Sequence, residues 1–253
     1  MRDPNGTPIV WVGSIPEFFS SYLHVDVSRK LRPLDWLILP QQKLLSVVRG
    51  PIYHDLIGLE RTRSRLVYFP RDVWLHLLAA QWSRIAEEEA FAGRAGAVRD
   101  ELGARVITAR QVREVVRLAF FQERRYIPYS KWLGTAFRGL RIAPILLPPL
   151  LRALEATEPL SRERALSRAY EVVARKQNSL RLTISLPVQV SRFHDRPYRI
   201  IHAGGFAKII RASIRDRRLC SLGGVGSVDQ WANTEEIGSK AQQLGALRAL
   251  AKS

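Results

Sequence analysis

Acidic side chains are concentrated around one turn that the sequence predicts between two long helices. Glu87–Glu89 lie near the end of the first helix, Asp100 and Glu101 begin the second, and Arg94 lies between them. Carboxylates gathered beside an arginine can bind a metal-bound nucleotide or supply a general base. A structural interpretation stays open, because Asp and Glu also stabilise a helix N-terminus through the helix dipole. Asp100 and Glu101 are therefore both candidate site residues and candidate capping residues.

Cations alternate with aromatic residues just after the second predicted helix. Residues 124–137 read RRYIPYSKWLGTAF and contain Arg125, Tyr126, Tyr129, Lys131 and Trp132. Positive side chains neutralise phosphate, and aromatic rings stack on a base. The lysine precedes a predicted short helix, whose free backbone N–H groups favour an anion. The segment indicates nucleotide binding or, alternatively, a turn whose aromatic rings pack in the core.

Two other patterns are less specific. Gly223–Gly226 are followed by Ser227-Val228-Asp229 rather than by Gly-Lys-Ser/Thr, so this segment is not a P-loop and is predicted to form a turn. Arg71 and His76 have the Arg-x4-His spacing of some helical ribonucleases, but a chain this rich in arginine contains such pairs by chance. We expect His76 to be a buried or half-buried helical residue.

The charge of the chain favours a polyanionic partner. The chain has 253 residues, with 40 Lys+Arg against 23 Asp+Glu and a formal net charge of +17. Such a surplus is typical of proteins that bind nucleic acid, nucleotide phosphates or an acidic protein surface. A surface on which arginine simply faces solvent is the alternative.

Cysteine usage and apolar runs exclude several protein classes. The single cysteine, Cys220, rules out an intramolecular disulfide framework and a multi-cysteine zinc site, and it favours the cytoplasm. The longest apolar stretch, residues 142–151, contains three prolines and is far shorter than the roughly 20 residues that cross a bilayer. The sequence therefore predicts no membrane segment.

Hydrophobic periodicity predicts a mainly α-helical fold with a few short strands. Helices are expected at 70–91, 101–125, 130–140, 145–156, 161–177 and 206–215, and strands at 8–12, 65–68, 180–185 and 198–202. We expect Gly93–Gly96 to interrupt helical structure between the first two helices. In the second helix, Val106 and Val116 are expected on the inner face, and Arg113 and Arg117 on the outer face.

Several blocks of the sequence occur in the order found in a known family. The blocks are Phe18-Phe19, Tyr22-Leu23, Asp35-Trp36-Leu37, Tyr68 to Leu75, Gly93-Arg94, Asp100 to Gly103, Tyr126 to Phe137, Arg196-Pro197-Tyr198 and Gly226 to Trp231. Together they span about residues 10–235. In this order they resemble a bacterial family, domain of unknown function 4037.

The resemblance implies a nucleotidyltransferase-like protein of the polymerase-β type. Such proteins have a mixed-sheet half, in which Gly-Ser and an Asp-x-Asp pair hold Mg²⁺, and a helical half. The chain contains no Asp-x-Asp, so it resembles the helical half alone. The implied organisation is a remnant strand of the sheet domain at 1–14, a helical domain at 15–235 and a C-terminal helix or tail at 236–253. The implied fold is a helical bundle like the C-terminal part of a nucleotidyltransferase.

The resemblance also assigns roles to candidate residues. Lys131 is expected to contact ATP or another nucleoside triphosphate that carries Mg²⁺, with Tyr126 or Tyr129 stacking nearby, and Glu101 is the candidate general base. The remaining candidates for substrate or nucleotide binding are Arg94, Asp100, Arg125 and Trp132.

Two functions are carried forward. The first is the nucleotide- or substrate-binding half of a cytoplasmic nucleotidyltransferase-like protein, inactive alone and completed by a separate nucleotidyltransferase domain or a second copy. The alternative is a stand-alone basic helical module that binds RNA or an acidic protein partner without catalysis.

Overall fold

The computed structural model describes residue 10 and residues 12–232, and these residues are mainly α-helical, as expected. The helices are α1 (Ile15–Leu23), α2 (Pro33–Leu37), α3 (Gln41–Arg49), α4 (Leu59–Ser64), α5 (Arg71–Glu88), α6 (Phe91–Ala97), α7 (Glu101–Gln122), α8 (Leu133–Phe137), α9 (Ala143–Glu155), α10 (Pro159–Ser179), α11 (Ala203–Ala212), α12 (Arg217–Ser221) and α13 (Val228–Trp231). A 3-10 turn, Ser130–Trp132, precedes α8. Strands β1 (Ser191–Phe193) and β2 (Arg196–Ile200) form an antiparallel hairpin.

Three long helices form the centre of the molecule. Helix α5 packs against α7 and α11, whereas α10 packs against α6, α7 and α9. Contacts along α7 and α10 show that the two helices run parallel, because Glu101 meets Arg162 at one end and Gln122 meets Val173 at the other. One continuous hydrophobic core runs from Phe19 to Leu219. The predicted division at residues 14 and 235 stays a prediction, since residues 236–253 and most of 1–14 lie outside the described part.

The expected break at Gly93–Gly96 is wrong, because these residues form most of α6. A Cβ on Gly93 would lie 2.9 Å from Cδ1 of Tyr198, and one on Gly96 would lie 3.0 Å from Cβ of Pro159. The glycines therefore allow a short helix to pack closely against β2 and the start of α10.

The burial of α7 also differs from the expected single apolar face. Val106 is 52 % exposed, whereas Arg117, expected on the outer face, is only 8 % exposed. Every residue from Val115 to Gln122 is buried. The second half of α7 lies between α5 and α10, so neighbours cover it on several sides.

Of the expected strands, only 198–202 agrees with the hairpin, where it overlaps β2. Residues 65–68 are turn and bend, and residues 180–185 are turn, bend and loop, so neither expected strand forms. The carbonyl of Leu66 accepts a hydrogen bond from the Tyr126 hydroxyl, and the Asn178 amide bonds both N–H and C=O of Leu186. Of the expected strand 8–12, only Val10 and Val12 are described, and both are exposed outside any strand.

Within residues 12–232, no helix is both long and apolar enough to span a membrane. Cys220, on α12, is an exposed free thiol.

Candidate functional site

Helix α7 separates the sequence-predicted site residues into two groups. Arg94, Asp100 and Glu101 lie at or before its first residue, whereas the cationic and aromatic candidates follow its last. A helix of 22 residues is about 33 Å long. The structure therefore does not bring Glu101 and Lys131 into one site.

At the first end of α7, Asp100 is a capping residue. Its side chain accepts a hydrogen bond from the Gly103 N–H at 2.8 Å. A Cβ on Gly103 would collide with that carboxylate in its present position, so a larger residue here would force the Asp100 side chain to shift. The block Asp100 to Gly103 is thus explained by the start of a helix, which is the structural alternative that the sequence left open.

Glu101 is fully engaged with two arginines. Its carboxylate oxygens accept hydrogen bonds from Arg162 at 2.6 and 3.1 Å, and Arg105 Nε donates another at 2.7 Å. The Arg162 side chain is 2 % exposed and also donates to the Ala156 carbonyl. Hydrogen bonding to Arg162 and Arg105 lowers the pKa of Glu101 to about 2. A carboxylate held this way is a poor proton acceptor near neutral pH and links α7 to α10.

Glu88 and Glu89, two other carboxylates near this end, also have structural partners. Glu88 pairs with Arg110 at 3.0 Å. Glu89 accepts hydrogen bonds from the backbone N–H groups of Ile201 and Ala203, at the start of α11, while burial raises its pKa to about 7. Arg94 lies over the ring of Phe91. Among the described residues, no group of three His, Cys, Asp or Glu is placed to hold a metal ion.

At the second end of α7, Arg124 turns the chain away from the helix. It adopts a left-handed conformation, with φ of 53°, and the N–H groups of Arg124 and Arg125 bond to the carbonyls of Phe121 and Phe120. This is the hydrogen-bond pattern of a Schellman motif, in which glycine is the usual residue. The guanidinium of Arg124 lies 5.3 and 5.1 Å from the ring centroids of Tyr68 and Trp74, contacts that stabilise the unusual backbone.

Tyr126 belongs to the core. It is 4 % exposed, its hydroxyl donates to the Leu66 carbonyl at 2.8 Å, and its ring packs against Tyr68 and Phe69. Burial raises the pKa of its hydroxyl above the usual value. The ring has no free face for a ligand, so its expected stacking on a base does not fit this placement.

Tyr129, Lys131 and Trp132 form an exposed group. Trp132 is 56 % exposed and Tyr129 is 37 % exposed. The Lys131 ammonium lies 5.2 Å from the Tyr129 ring centroid and 5.7 Å from that of Trp132. A cation beside two exposed rings can contact a phosphate and stack a base at the same surface. We call residues 124–132 the basic aromatic segment.

The basic aromatic segment begins a long stretch of the chain without carboxylates. Between Glu123 and Glu155 there is no Asp or Glu, and the six cations are Arg124, Arg125, Lys131, Arg138, Arg141 and Arg152. The carboxylate of Glu123 itself accepts hydrogen bonds from the N–H groups of Arg141 and Ile142, just before α9. The surface that follows α7 is therefore locally positive.

Two glutamines of α3 hold the basic aromatic segment in place. Gln41 Oε1 accepts from the Ile127 N–H at 3.1 Å, and Gln42 Oε1 accepts from the Tyr129 N–H at 2.6 Å. The backbone N–H of Gln41 donates to Asp229 at 3.0 Å. Sequence reasoning missed these residues, because they contact the segment from more than 80 positions away.

A buried polar network extends from Asp229 towards α5 and α7. Gln230 donates to Gln81, which donates to the Glu114 carboxylate at 2.6 Å, and Arg84 pairs with the same carboxylate at 3.2 Å. Arg117 faces Glu114 and Asp229, and burial lowers its pKa. The block Gly226 to Trp231 thus contributes to the interior beside the basic aromatic segment.

The two less specific patterns have structural explanations. Residues 223–226 form the predicted turn, in which Gly226 has φ of +74° and a Cβ would collide with Gln230. His76 is 1 % exposed, as expected, and burial lowers its pKa to about 4. An imidazole buried and neutral in this way is unsuited to the acid–base chemistry of an exposed ribonuclease site.

Fold and site together define a mainly α-helical protein with an exposed cationic and aromatic surface at one end of α7. Residues 36–133, from α2 to the start of α8, match the family described as domain of unknown function 4037. The match supports the expected resemblance to this family over that segment. No curated protein and no solved structure matches the chain.

Proposed function

We propose that this chain is the helical, nucleotide-binding half of a cytoplasmic nucleotidyltransferase-like protein, and that the basic aromatic segment contacts a nucleoside triphosphate such as ATP. The observation that carries the proposal is the exposed Lys131 ammonium beside the Tyr129 and Trp132 rings. Lys131 and Arg125 would neutralise phosphates, and Trp132, the more exposed ring, would stack on the base. Tyr126 supports the segment from the core.

The proposal gives Glu101 no catalytic role. It lies about one length of α7 away from Lys131, and its carboxylate is occupied by two arginines. The described residues also offer no group of three metal-ligating side chains for Mg²⁺. The metal chemistry of transfer therefore falls to a separate nucleotidyltransferase domain.

Calorimetric titration with ATP, with and without Mg²⁺, tests the proposal. Lys131→Ala is expected to weaken binding by about 1–2 kcal/mol, the scale of one charge-assisted contact. Trp132→Ala is expected to weaken it by about 1–3 kcal/mol through loss of stacking. Lys208→Ala is the matched control, because Lys208 is an exposed lysine on α11, remote in sequence from the segment. Absence of ATP binding, or equal affinity in the wild type and Lys131→Ala, would refute the proposal.

A second candidate function is RNA binding through the same surface. Six cations without a carboxylate between residues 124 and 154 support it. A single strand could follow this surface through phosphate contacts and stack bases on the exposed rings. The two functions differ in ligand length and in the dependence of affinity on salt.

A further inference from the structure

A cavity lies between the first half of α10 and the β-hairpin, on a different surface from the basic aromatic segment. Its volume is about 410 Å³. Pockets for small molecules commonly have volumes of about 300–1,000 Å³. Leu160, Val190 and Pro197 supply apolar parts of its lining.

Three arginines line this cavity. Arg164 and Arg168 lie one helical turn apart on α10, and Arg199 comes from β2. Among the described residues, Arg164 and Arg199 form no ion pair, and Arg168 has only a 3.7 Å contact with Glu171. Two of the three guanidinium groups therefore have no carboxylate partner among these residues, and the third has a single long contact, so the group can still bind an anion.

The two carboxylates in the lining have partners in the hairpin region. Glu163 accepts a hydrogen bond from the backbone N–H of Arg199 at 2.9 Å, and Glu171 accepts one from that of Val190 at 3.4 Å. These contacts hold β2 and the chain before β1 against α10. The carboxylates thus help to build the cavity wall, while the arginines exceed them in charge by one.

The hydroxyl of Ser167 is a second, independent indication that this cavity binds a ligand. It lies in the lining between Arg164 and Arg168, is 7 % exposed, and its hydroxyl has no hydrogen-bond partner among the described residues. A buried hydroxyl without a partner is costly unless a ligand or water satisfies it. A hydroxyl among three guanidinium groups matches the donor set that binds phosphate oxygens.

We propose that this cavity binds a small molecule that carries a phosphate group. Arg164, Arg168 and Arg199 would bind its oxygens from opposite walls, Ser167 would donate from the floor, and Leu160, Val190 and Pro197 would contact its apolar part. This site does not depend on nucleotide binding at the basic aromatic segment, because no residue of that segment lines the cavity.

Titration of the full chain with inorganic pyrophosphate, followed by calorimetry, tests this site. Arg164→Gln, Arg199→Gln and Ser167→Ala are each expected to weaken binding at least about fivefold. Arg164 and Arg199 are exposed, so their variants should fold even if Ser167→Ala does not, and circular dichroism checks each protein. Arg218→Gln, a change at an exposed arginine on α12, is the matched control and is expected to bind pyrophosphate as the wild type does.

Three results would overturn the site. They are the absence of saturable binding by the wild type, unchanged affinity in both Arg164→Gln and Arg199→Gln, and equally tight binding of citrate. The second would place the anion elsewhere on the protein, and the third would show a preference for carboxylates. Weakening of ATP binding by Lys131→Ala tests the proposed function separately.

Discussion

The buried guanidinium of Arg162 determines the behaviour of Glu101. An arginine that is 2 % exposed needs a negative partner, and Glu101 provides it with two hydrogen bonds. Removing the carboxylate would leave a buried charge without compensation. We therefore interpret Glu101 as a structural residue that joins the first turns of α7 and α10.

This interpretation predicts a specific pH dependence for Glu101→Gln. Because the folded pKa is about 2 and the usual value is 4.5, the ionised Glu101 stabilises the folded protein fully above pH 4.5. That stabilisation is lost as the pH falls through about 4.5 to about 2. The variant should therefore be less stable than the wild type at pH 7, and the difference should shrink over this acid range. Urea unfolding at a series of pH values measures it.

Glu89→Gln is the matched control, because its pKa is shifted in the opposite direction. Burial raises the pKa of Glu89 from 4.5 to about 7, so the wild type loses stability relative to the variant as the pH rises between these values. A shift of this size corresponds to at most about 3 kcal/mol. Parallel stability curves for Glu101→Gln and the wild type across the acid range would contradict the structural interpretation.

At the scale of the element, the start of α7 depends on one cap. The Asp100 carboxylate bonds to the Gly103 N–H from a position that a Cβ on residue 103 would occupy. Helix caps of this kind contribute about 1 kcal/mol. The motif Asp100 to Gly103 therefore helps to determine where α7 begins.

Gly103→Ala and Gly134→Ala should have opposite effects on stability. At Gly103, the new Cβ collides with the Asp100 carboxylate, and we expect the free energy of unfolding to fall by about 1 kcal/mol. At Gly134, in α8, no atom lies within 4 Å of the new Cβ, so the higher helix propensity of alanine should stabilise the protein by up to about 1 kcal/mol. Urea unfolding measures the change in the free energy of unfolding for both variants. Equal changes would show that disruption of the Asp100 cap does not cause the effect of Gly103→Ala.

The sequence predicted the elements in which the apolar pattern is strong. The periodic positions of α5 and α10 agree with the structure to within a few residues, and β2 was expected. It did not predict that α6 includes Gly93 and Gly96, because their partners Tyr198 and Pro159 are distant in the chain. The expected strands 65–68 and 180–185 are wrong: the first is a turn in which Leu66 bonds to the distant Tyr126, and the second is loop ahead of Leu186, which bonds to Asn178.

The candidate site was predicted in part. Composition alone identified Tyr129, Lys131 and Trp132, which are exposed together. It could not separate Tyr126 from them, because burial depends on Leu66, Tyr68 and Phe69 across the core. The positions of Gln41 and Asp229 likewise depend on contacts between distant parts of the chain, for which the sequence has no local pattern.

At the scale of the whole molecule, the length of α7 and the distribution of charge determine where we expect an anionic ligand to bind. Near its first end, Glu88, Glu89 and Glu101 already pair with arginines or backbone N–H groups, whereas the 31 residues 124–154, which follow its second end, contain no Asp or Glu. The positive side chains behind the net charge of +17 therefore have more carboxylates near them at the first end of α7 than at the second. An anionic ligand should be attracted to the second end.

RNA binding by the basic aromatic segment should depend steeply on salt. We expect the logarithm of affinity for a single-stranded oligomer to fall linearly with the logarithm of salt concentration, by about 0.7 per phosphate contact. Lys131→Ala should reduce the slope by about 0.7, whereas Lys208→Ala should leave it unchanged. Fluorescence anisotropy at several salt concentrations measures both slopes. A flat dependence would exclude phosphate contacts and leave the nucleotide as the ligand of this surface.

The single thiol has a practical consequence for such measurements. Cys220 is the one cysteine in the sequence and lies exposed on α12. A maleimide fluorophore or a nitroxide therefore attaches at one known position without prior removal of other cysteines. Because α12 packs against α2 and α5, a label there reports from the central helices. Energy transfer to a fluorescent ATP analogue or a labelled oligomer would then measure how far each ligand lies from Cys220.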